Sequence, residues 1–301
     1  MNSPGQAALV SGLSLTPCER GILWPVVYAS IFKAPVRVAH LWSRIVGIGA
    51  SEEEMRAALS GTALRSLLVE CEGLIWLRGL DTGEERGAFS ARERATADLL
   101  SRNQELLRFV KGLRHVHFAG LSGGCAHDAA DDGDIDVFLV TRENAVWRTL
   151  LWTTLVAKAR GWRRILCLNY LVDTTAQTLP STDFYAGFEL TTLKSLKGEA
   201  AFRDLLSANQ WAAPMFPNFF RSRLRGQNPV NTNFTTSGRH LLEATARMIH
   251  RPYLRHRLPH GPGVELSDHV VRLHATDHRA RLQGLFQDAL RNIGMEAPPW
   301  I

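Results

Sequence analysis

The chain of 301 residues is poor in cysteine, in long apolar runs and in the short signatures of several large enzyme classes. Its four cysteines, Cys18, Cys71, Cys125 and Cys167, form no CxxC clip and have core-like neighbours. That spacing argues against a zinc site and for reduced thiols in a cytoplasmic protein. The N-terminus lacks a basic start followed by an apolar stretch, so no signal peptide is expected. The most apolar run, 145–156, is broken by Arg148 and followed by Lys158 and Arg160. It falls short of the roughly 20 uncharged apolar residues a membrane span needs, so no membrane partner is expected. Ser122 is not set in a GxSxG elbow, and neither GxxxxGK[ST] nor GxGxxG occurs. Charge of one sign is not dominant either: the formal net charge is +6. This excess suits an anionic substrate such as a nucleotide or RNA, and equally a slightly basic surface with no partner.

What is present is an ordinary globular composition, 45% hydrophobic and 21% charged. At roughly 100–200 residues per domain, two or three domains are expected. Residues 1–14 are small and polar and read as a disordered N-terminus. Thr16, Pro17 and Glu19 have the pattern of a helix start, and Pro25 should kink that helix. A second helical pattern covers 36–46. Ser51 caps a third, with Glu52, Glu53 and Glu54 in its first turn. The apolar run from Leu67, the turn Glu70-Cys71-Glu72-Gly73 and the run LIWL read as a β-hairpin. Three helices and a hairpin make residues 15–82 a winged-helix-like domain. The polar stretch 79–87 reads as a linker, and a long amphipathic helix is expected from Ser90.

From His115 the pattern becomes α/β. Strands are expected at 115–119, 134–141 and 165–172, with a helix over 144–159. Beyond Pro180 the chain reads as helical to about Trp211, then as a loop over 212–236. Residues 211–301 read as a helical C-terminal region. Trp24, Trp42 and Trp76 fall on the buried phases of their elements.

The string GLSGGCAHDAADDGDIDVFLV carries the chemistry. Gly123-Gly124 is followed by nine residues and then Asp134-Ile135-Asp136. In a strand, residues two apart face the same way. Asp134 and Asp136 therefore project together, while Ile135, Val137 and Leu139 face a core. Two adjacent carboxylates repel unless a cation lies between them. A hard divalent ion, Mg²⁺ or Mn²⁺, prefers such oxygen ligands together with substrate phosphates. A glycine turn lets backbone N–H groups approach a phosphate closely, and Ser122 can add a hydroxyl. The alternative is that Asp128, Asp131, Asp132, Asp134 and Asp136 form an acidic loop or an adventitious cation site.

Gly123, Gly124, Asp134 and Asp136 match in type and spacing the motif of the nucleotidyltransferase superfamily. That superfamily includes DNA polymerase β, the kanamycin-type antibiotic adenylyltransferases and the CCA-adding enzymes. The resemblance covers residues 88–210. The segments GLIWLRG, LCLNYLV and SANQW also resemble bacterial proteins in which a winged-helix-like segment precedes such a domain. The resemblance implies an α+β or α/β chain built on a nucleotidyltransferase-fold mixed sheet. The implied activity is transfer of a nucleoside monophosphate from an NTP to a hydroxyl on a small molecule, protein or RNA, with release of pyrophosphate. It also implies a third acidic residue on the strand after the helix. Here the mid-strand position holds Asn169, and Asp173 stands at the strand end. By alternation the two share a face, and either fills the third place or Asp173 starts the next turn. Glu189 and His127 are fallback bases.

Other cations have two readings each. Arg142 and Arg148 flank the strand–helix junction and either reach a phosphate or cover a surface. Lys194, Lys197 and Arg203, on an expected helical stretch, either bind triphosphate or face solvent. His115 and His117 share a strand face and read as packing. The basic run 247–260 and Arg221, Arg223 and Arg225 either track a nucleic-acid backbone or form a solvated helix. The expected function is therefore a metal-dependent nucleotidyltransferase. The alternative is a nucleotide-sensing or nucleic-acid-binding regulator acting through its winged-helix segment, although 36–47 has few basic residues for reading a groove.

Overall fold

The computed structural model describes residues 14–130, 133–225, 240–258, 261, 263–273 and 279–301. The disorder expected over 1–14 falls, save for Ser14, outside the described residues, as do Asp131 and Asp132.

The first helix, α1 (Pro17–Ser30), begins as its sequence dictates. The Glu19 amide donates to Thr16 Oγ1 at 3.2 Å, and the Thr16 amide donates to the Glu19 carboxylate at 2.8 Å. Pro25 lies inside the helix and does not end it. Then come β1 (Val36–Arg37), α2 (Val38–Arg44), α3 (Glu52–Ser60), α4 (Thr62–Leu67), β2 (Leu68–Cys71) and β3 (Leu74–Leu77). These strands form a three-stranded antiparallel sheet in the order β1-β3-β2. The hairpin turns on Glu72 and Gly73, both at positive φ, as the right-handed strand twist requires of a two-residue loop.

Next are α5 (Gly83–Arg102) and α6 (Gln104–Gly112). The helix expected from Ser90 thus starts earlier, because Thr82 caps it by accepting from the Glu85 amide. Most of the expected linker is helical for that reason. Beyond lie β4 (Val116–Leu121), α7 (Gly123–Ala126), β5 (Ile135–Thr141), α8 (Val146–Ala159), β6 (Leu166–Asp173), α9 (Phe184–Thr192), β7 (Lys194–Lys197), α10 (Glu199–Ala208) and α11 (Pro217–Leu224). The described chain ends with α12 (His240–Arg257), β8 (Val264–Leu266), β9 (Val270–Leu273) and α13 (Arg279–Asn292).

Six strands form one mixed sheet in the order β7-β4-β5-β6-β9-β8. Only β5 and β6 run parallel, joined by the α8 crossover. Three expectations are corrected here. Lys194 and Lys197 lie on an edge strand paired with β4, where a helix was expected. The loop expected over 212–236 contains α11. The C-terminal region adds β8 and β9 to the sheet beside β6 and is therefore not wholly helical.

Both sheet faces are covered. Phe118, Phe138, Val140, Tyr170 and Val172 pack in one cluster with Ile22, Leu23, Val26 and Leu41 of the N-terminal helices. Trp24 and Trp42 border that cluster, while Trp76 is fully buried. Ala119, Val137, Leu139, Leu168 and Leu171 pack on the other face, against Leu106 and Val110 of α6 and Trp147 and Leu150 of α8. Burying each large apolar side chain is worth about 1.5–3 kcal/mol, so the central strands are firmly fixed. Among the described residues no helix is long and apolar enough to cross a membrane.

Candidate metal and phosphate centre

One end of the sheet gathers the residues with chemistry. Because β4 runs antiparallel to β5, the end of β4 meets the start of β5, with Leu121 opposite Val137. Because β6 runs parallel to β5, its start is there too, with Cys167 opposite Asp136. The Ser122 amide donates to the Asp136 carbonyl at 3.0 Å, which carries the ladder into the glycine turn.

Asp134 and Asp136 converge as expected of residues two apart. With Cys167 they offer ligand atoms that all lie within 4.8 Å of one another, at partly exposed positions. Among the described residues this is the only such cluster of His, Cys, Asp and Glu. Asp136 also accepts from the Asn169 amide, and the Cys167 thiol donates to Asn169 Oδ1 at 3.0 Å. Cys125 lies behind the site with its thiol 3.4 Å from the Asp134 carbonyl. Burial, and then the charges of Asp136 and Asp134, push the Cys125 thiol up to about 11, so it stays protonated at neutral pH.

The turn is shaped by its glycines. Gly123 has φ +54°, and a Cβ there would lie 2.3 Å from Asp136 Oδ2. A Cβ on Gly124 would lie 2.8 Å from the Ala129 carbonyl oxygen. Only side-chain-free residues let the backbone lie this close to the carboxylate. Ser122 Oγ is buried with no hydrogen-bond partner among the described residues, an arrangement that favours a ligand at this point. α7 has four residues and contributes little dipole.

A cleft of about 290 Å³ opens beside the turn. Ser122, Gly123, Asp136 and Asn169 line one part of it, and Arg272 and Arg279 another. Its walls include Phe138, Tyr170 and Glu189. Phe138 and Tyr170 stack at 5.0 Å, which fixes the cleft floor. Glu189 is 3.2 Å from His127 Nε2, and the His127 ring stacks on Phe188.

Other candidates suggested by the sequence lie elsewhere. Asp173 pairs with Thr141 in register, at the opposite end of β5 and β6. Six residues from Cys167, at about 3.3 Å per residue, put it roughly 20 Å away. It is fully buried and saturated, accepting from the Asn144 and Thr175 amides, the Thr175 hydroxyl and His269. It anchors the turn after β6 and does not join the carboxylate pair. Simple alternation fails because the register shifts between Val137 and Phe138, leaving Asn169 as an extra residue in β6. The bulge keeps Asn169 on the Asp136 side and turns Asp173 to the other.

Arg148 is likewise at the far end, at the start of α8, lining a separate cavity with Phe109, His115 and Trp152. Arg142 is there too, its amide on the His115 carbonyl. Lys194 does reach the site's edge, donating to Asp128 at 2.5 Å and to the Cys125 carbonyl at 3.4 Å. Lys197 instead donates to the Leu113 carbonyl at 2.7 Å, so the two lysines form no common cradle.

Sequence reasoning missed Cys167, Arg272 and Arg279. Cys167 was legible in principle, since a parallel neighbour of Asp136 shares its face. The arginines were not: Arg272 stands on β9, a four-residue strand with no alternating signal, and Arg279 opens α13, brought to the cleft only by tertiary packing. Comparison of the chain with protein-family models, with curated proteins and with solved structures gave no match.

Proposed function

We propose that the protein is a metal-dependent nucleotidyltransferase with a nucleotidyltransferase-type central sheet. The observation carrying this reading is the convergence of Asp134 and Asp136 beside a glycine turn that no side chain could occupy. The order β4, α7, β5, α8, β6 supports it. The donor set fits a divalent ion: two carboxylates suit Mg²⁺, and the Cys167 thiol favours the softer Mn²⁺. Such an ion, held by Asp134 and Asp136, supplies neutralisation of phosphate charge.

The chain's own residues do the rest. Ser122 and the Gly123-Gly124 turn hold phosphate oxygens, and Arg272 and Arg279 offset charge across the cleft. An acceptor hydroxyl forms the new bond to the α-phosphorus of an NTP, the α–β bridging bond breaks, and pyrophosphate leaves. Glu189, in the same cleft and paired with His127, takes the hydroxyl proton. The order α1, β1, α2, α3, α4 and hairpin supports a winged-helix-like N-terminal unit. Its α3 exposes Glu52, Glu53 and Glu54, which weighs against a nucleic-acid backbone on that helix.

The test is label transfer from each radiolabelled NTP, with Mg²⁺ or Mn²⁺, to an RNA pool and a metabolite extract. Asp134→Asn and Asp136→Asn should each abolish both Mn²⁺ binding and transfer; unchanged transfer in both variants refutes the assignment. The Asn169 amide on Asp136 favours a second reading, a nucleotide-binding protein without transfer. Metal-dependent NTP binding with no labelled product would select it.

A further inference from the structure

Across the Gly123-Gly124 turn from the carboxylate cleft lies a larger cavity of about 590 Å³. One wall comes from α1, the turn after it and α2, and includes Tyr28, Phe32, His40 and Arg44. The other comes from the turn 123–129 together with Phe188 and Glu189. Cations crowd this space, and most are satisfied by neighbours. Arg37 pairs with Glu93, and Lys194 pairs with Asp128 at 2.5 Å. Arg92 donates to the Phe32 and Lys33 carbonyls at 3.1 and 2.9 Å.

Arg44 is different. It is only partly exposed, and its guanidinium lies 5.9 Å from the centre of the Phe188 ring. Among the described residues no carboxylate forms an ion pair with it. The carboxylate it feels most, Asp128, is already engaged by Lys194. Burial lowers the Arg44 pKa, and Arg37 adds to the effect. His40 beside it is also held below its ordinary value, first by burial and then by Arg44, Arg37 and Lys194. A desolvated cation among other cations is costly without a counter-ion. An arginine fork matches phosphate geometry, and the aromatic rings offer a flat apolar surface.

We propose that this cavity binds a phosphoryl group on Arg44, with the apolar part of the same small molecule against Tyr28, Phe32 and Phe188. The ligand is a phosphate ester or a nucleoside polyphosphate. Its place in catalysis rests on the nucleotidyl-transfer reading; the binding itself does not. Both cavities share Gly123 and Glu189, so a ligand here abuts the site where phosphate chemistry would occur. The phosphoryl group belongs either to a phosphorylated acceptor or to the polyphosphate tail of the nucleotide.

The experiment is calorimetric titration of the full chain, without divalent metal, with AMP, pyrophosphate and tripolyphosphate. Arg44→Gln should weaken binding about tenfold or more, the loss of one charge-assisted contact. Arg291→Gln, an exposed arginine on α13, should leave it unchanged. A second readout uses the wild-type protein and does not depend on folding of a variant. Phenylglyoxal modification of Arg44, followed by mass spectrometry, should slow with pyrophosphate but not with sodium chloride at equal ionic strength. Stronger binding of AMP than of the polyphosphates assigns the site to a phosphorylated acceptor; the reverse order assigns it to the nucleotide tail. Binding unaffected by Arg44→Gln, together with unprotected Arg44, overturns the proposal. Arg44-dependent binding in a protein that transfers no label leaves this site standing and removes the transferase reading. Transfer with Arg44-independent anion binding does the opposite.

Discussion

Replacing Gly123 by alanine separates the two things this glycine does. Its φ of +54° costs an L-residue about 1–2 kcal/mol in the left-handed region. The added Cβ would also lie 2.3 Å from Asp136 Oδ2 and 3.1 Å from its Cγ, about 1 Å short of ordinary contact. The Asp136 carboxylate must therefore swing away, and metal ligation tolerates only about 0.2 Å of error. Gly133→Ala is the control: its φ is +73°, but a Cβ added there would meet nothing within 4 Å. Both variants should lose about 1–2 kcal/mol in urea unfolding. Only Gly123→Ala should lose Mn²⁺ affinity, by at least about tenfold in calorimetry, and transfer by about a hundredfold. Wild-type Mn²⁺ affinity in Gly123→Ala, or equal loss in both variants, would refute the idea that this turn is shaped around Asp136.

Cys167→Ser should cut Cd²⁺ affinity roughly 10–100-fold and abolish the sulfur-to-cadmium absorption band while sparing Mg²⁺; an unaltered band in the variant would place the thiol outside the site. Glu243→Gln should destabilise by about 1–2 kcal/mol in guanidinium melts, because the buried Glu243 carboxylate accepts from the Trp147 and Arg148 amides at 2.6 and 3.0 Å and caps α8. Asp173→Asn should leave Mn²⁺ binding intact yet cost roughly 1–3 kcal/mol. The hydrogen bond from His269 to Asp173 raises the His269 pKa, so its stabilisation is full below the unfolded value and fades as pH rises through the raised one. The gap between wild type and Asp173→Asn in urea midpoint should accordingly narrow from pH 6 towards pH 8, and a gap that widens contradicts the pairing.

The elements that were legible in the sequence are those whose signal is local. Thr16 and Ser51 cap α1 and α3 through Glu19 and Glu54, as the four-residue pattern requires. The Glu72-Gly73 hairpin and strands β4 to β6 follow from turn chemistry and apolar runs. Illegible were the edge strands. Lys194–Lys197 has the composition of a helix surface and becomes a strand only because β4 presents an open edge to it. β8 and β9 extend the sheet beyond β6 for the same reason. Strand pairing of this kind is a tertiary effect that overrides local propensity.

The site divides along the same line. The spacing of Asp134 and Asp136 sufficed to bring both carboxylates together, because Asp134 immediately precedes β5 and the strand is regular from Ile135 to Asp136. The spacing of Asn169 and Asp173 did not suffice, because one bulge between them inverts the parity of β6. The bulge has a chemical consequence. Without the extra residue Tyr170 would not come opposite Phe138, and the stacked pair that floors the cleft would be lost. The same irregularity brings the Asn169 amide onto Asp136 and leaves Cys167 as the third donor. A soft, titratable thiol beside two hard carboxylates is thus built into the strand register. Cadmium therefore reports on the architecture directly: a site that shows the sulfur-to-cadmium band through Cys167 has that thiol facing Asp136, and one that does not has β6 in another register.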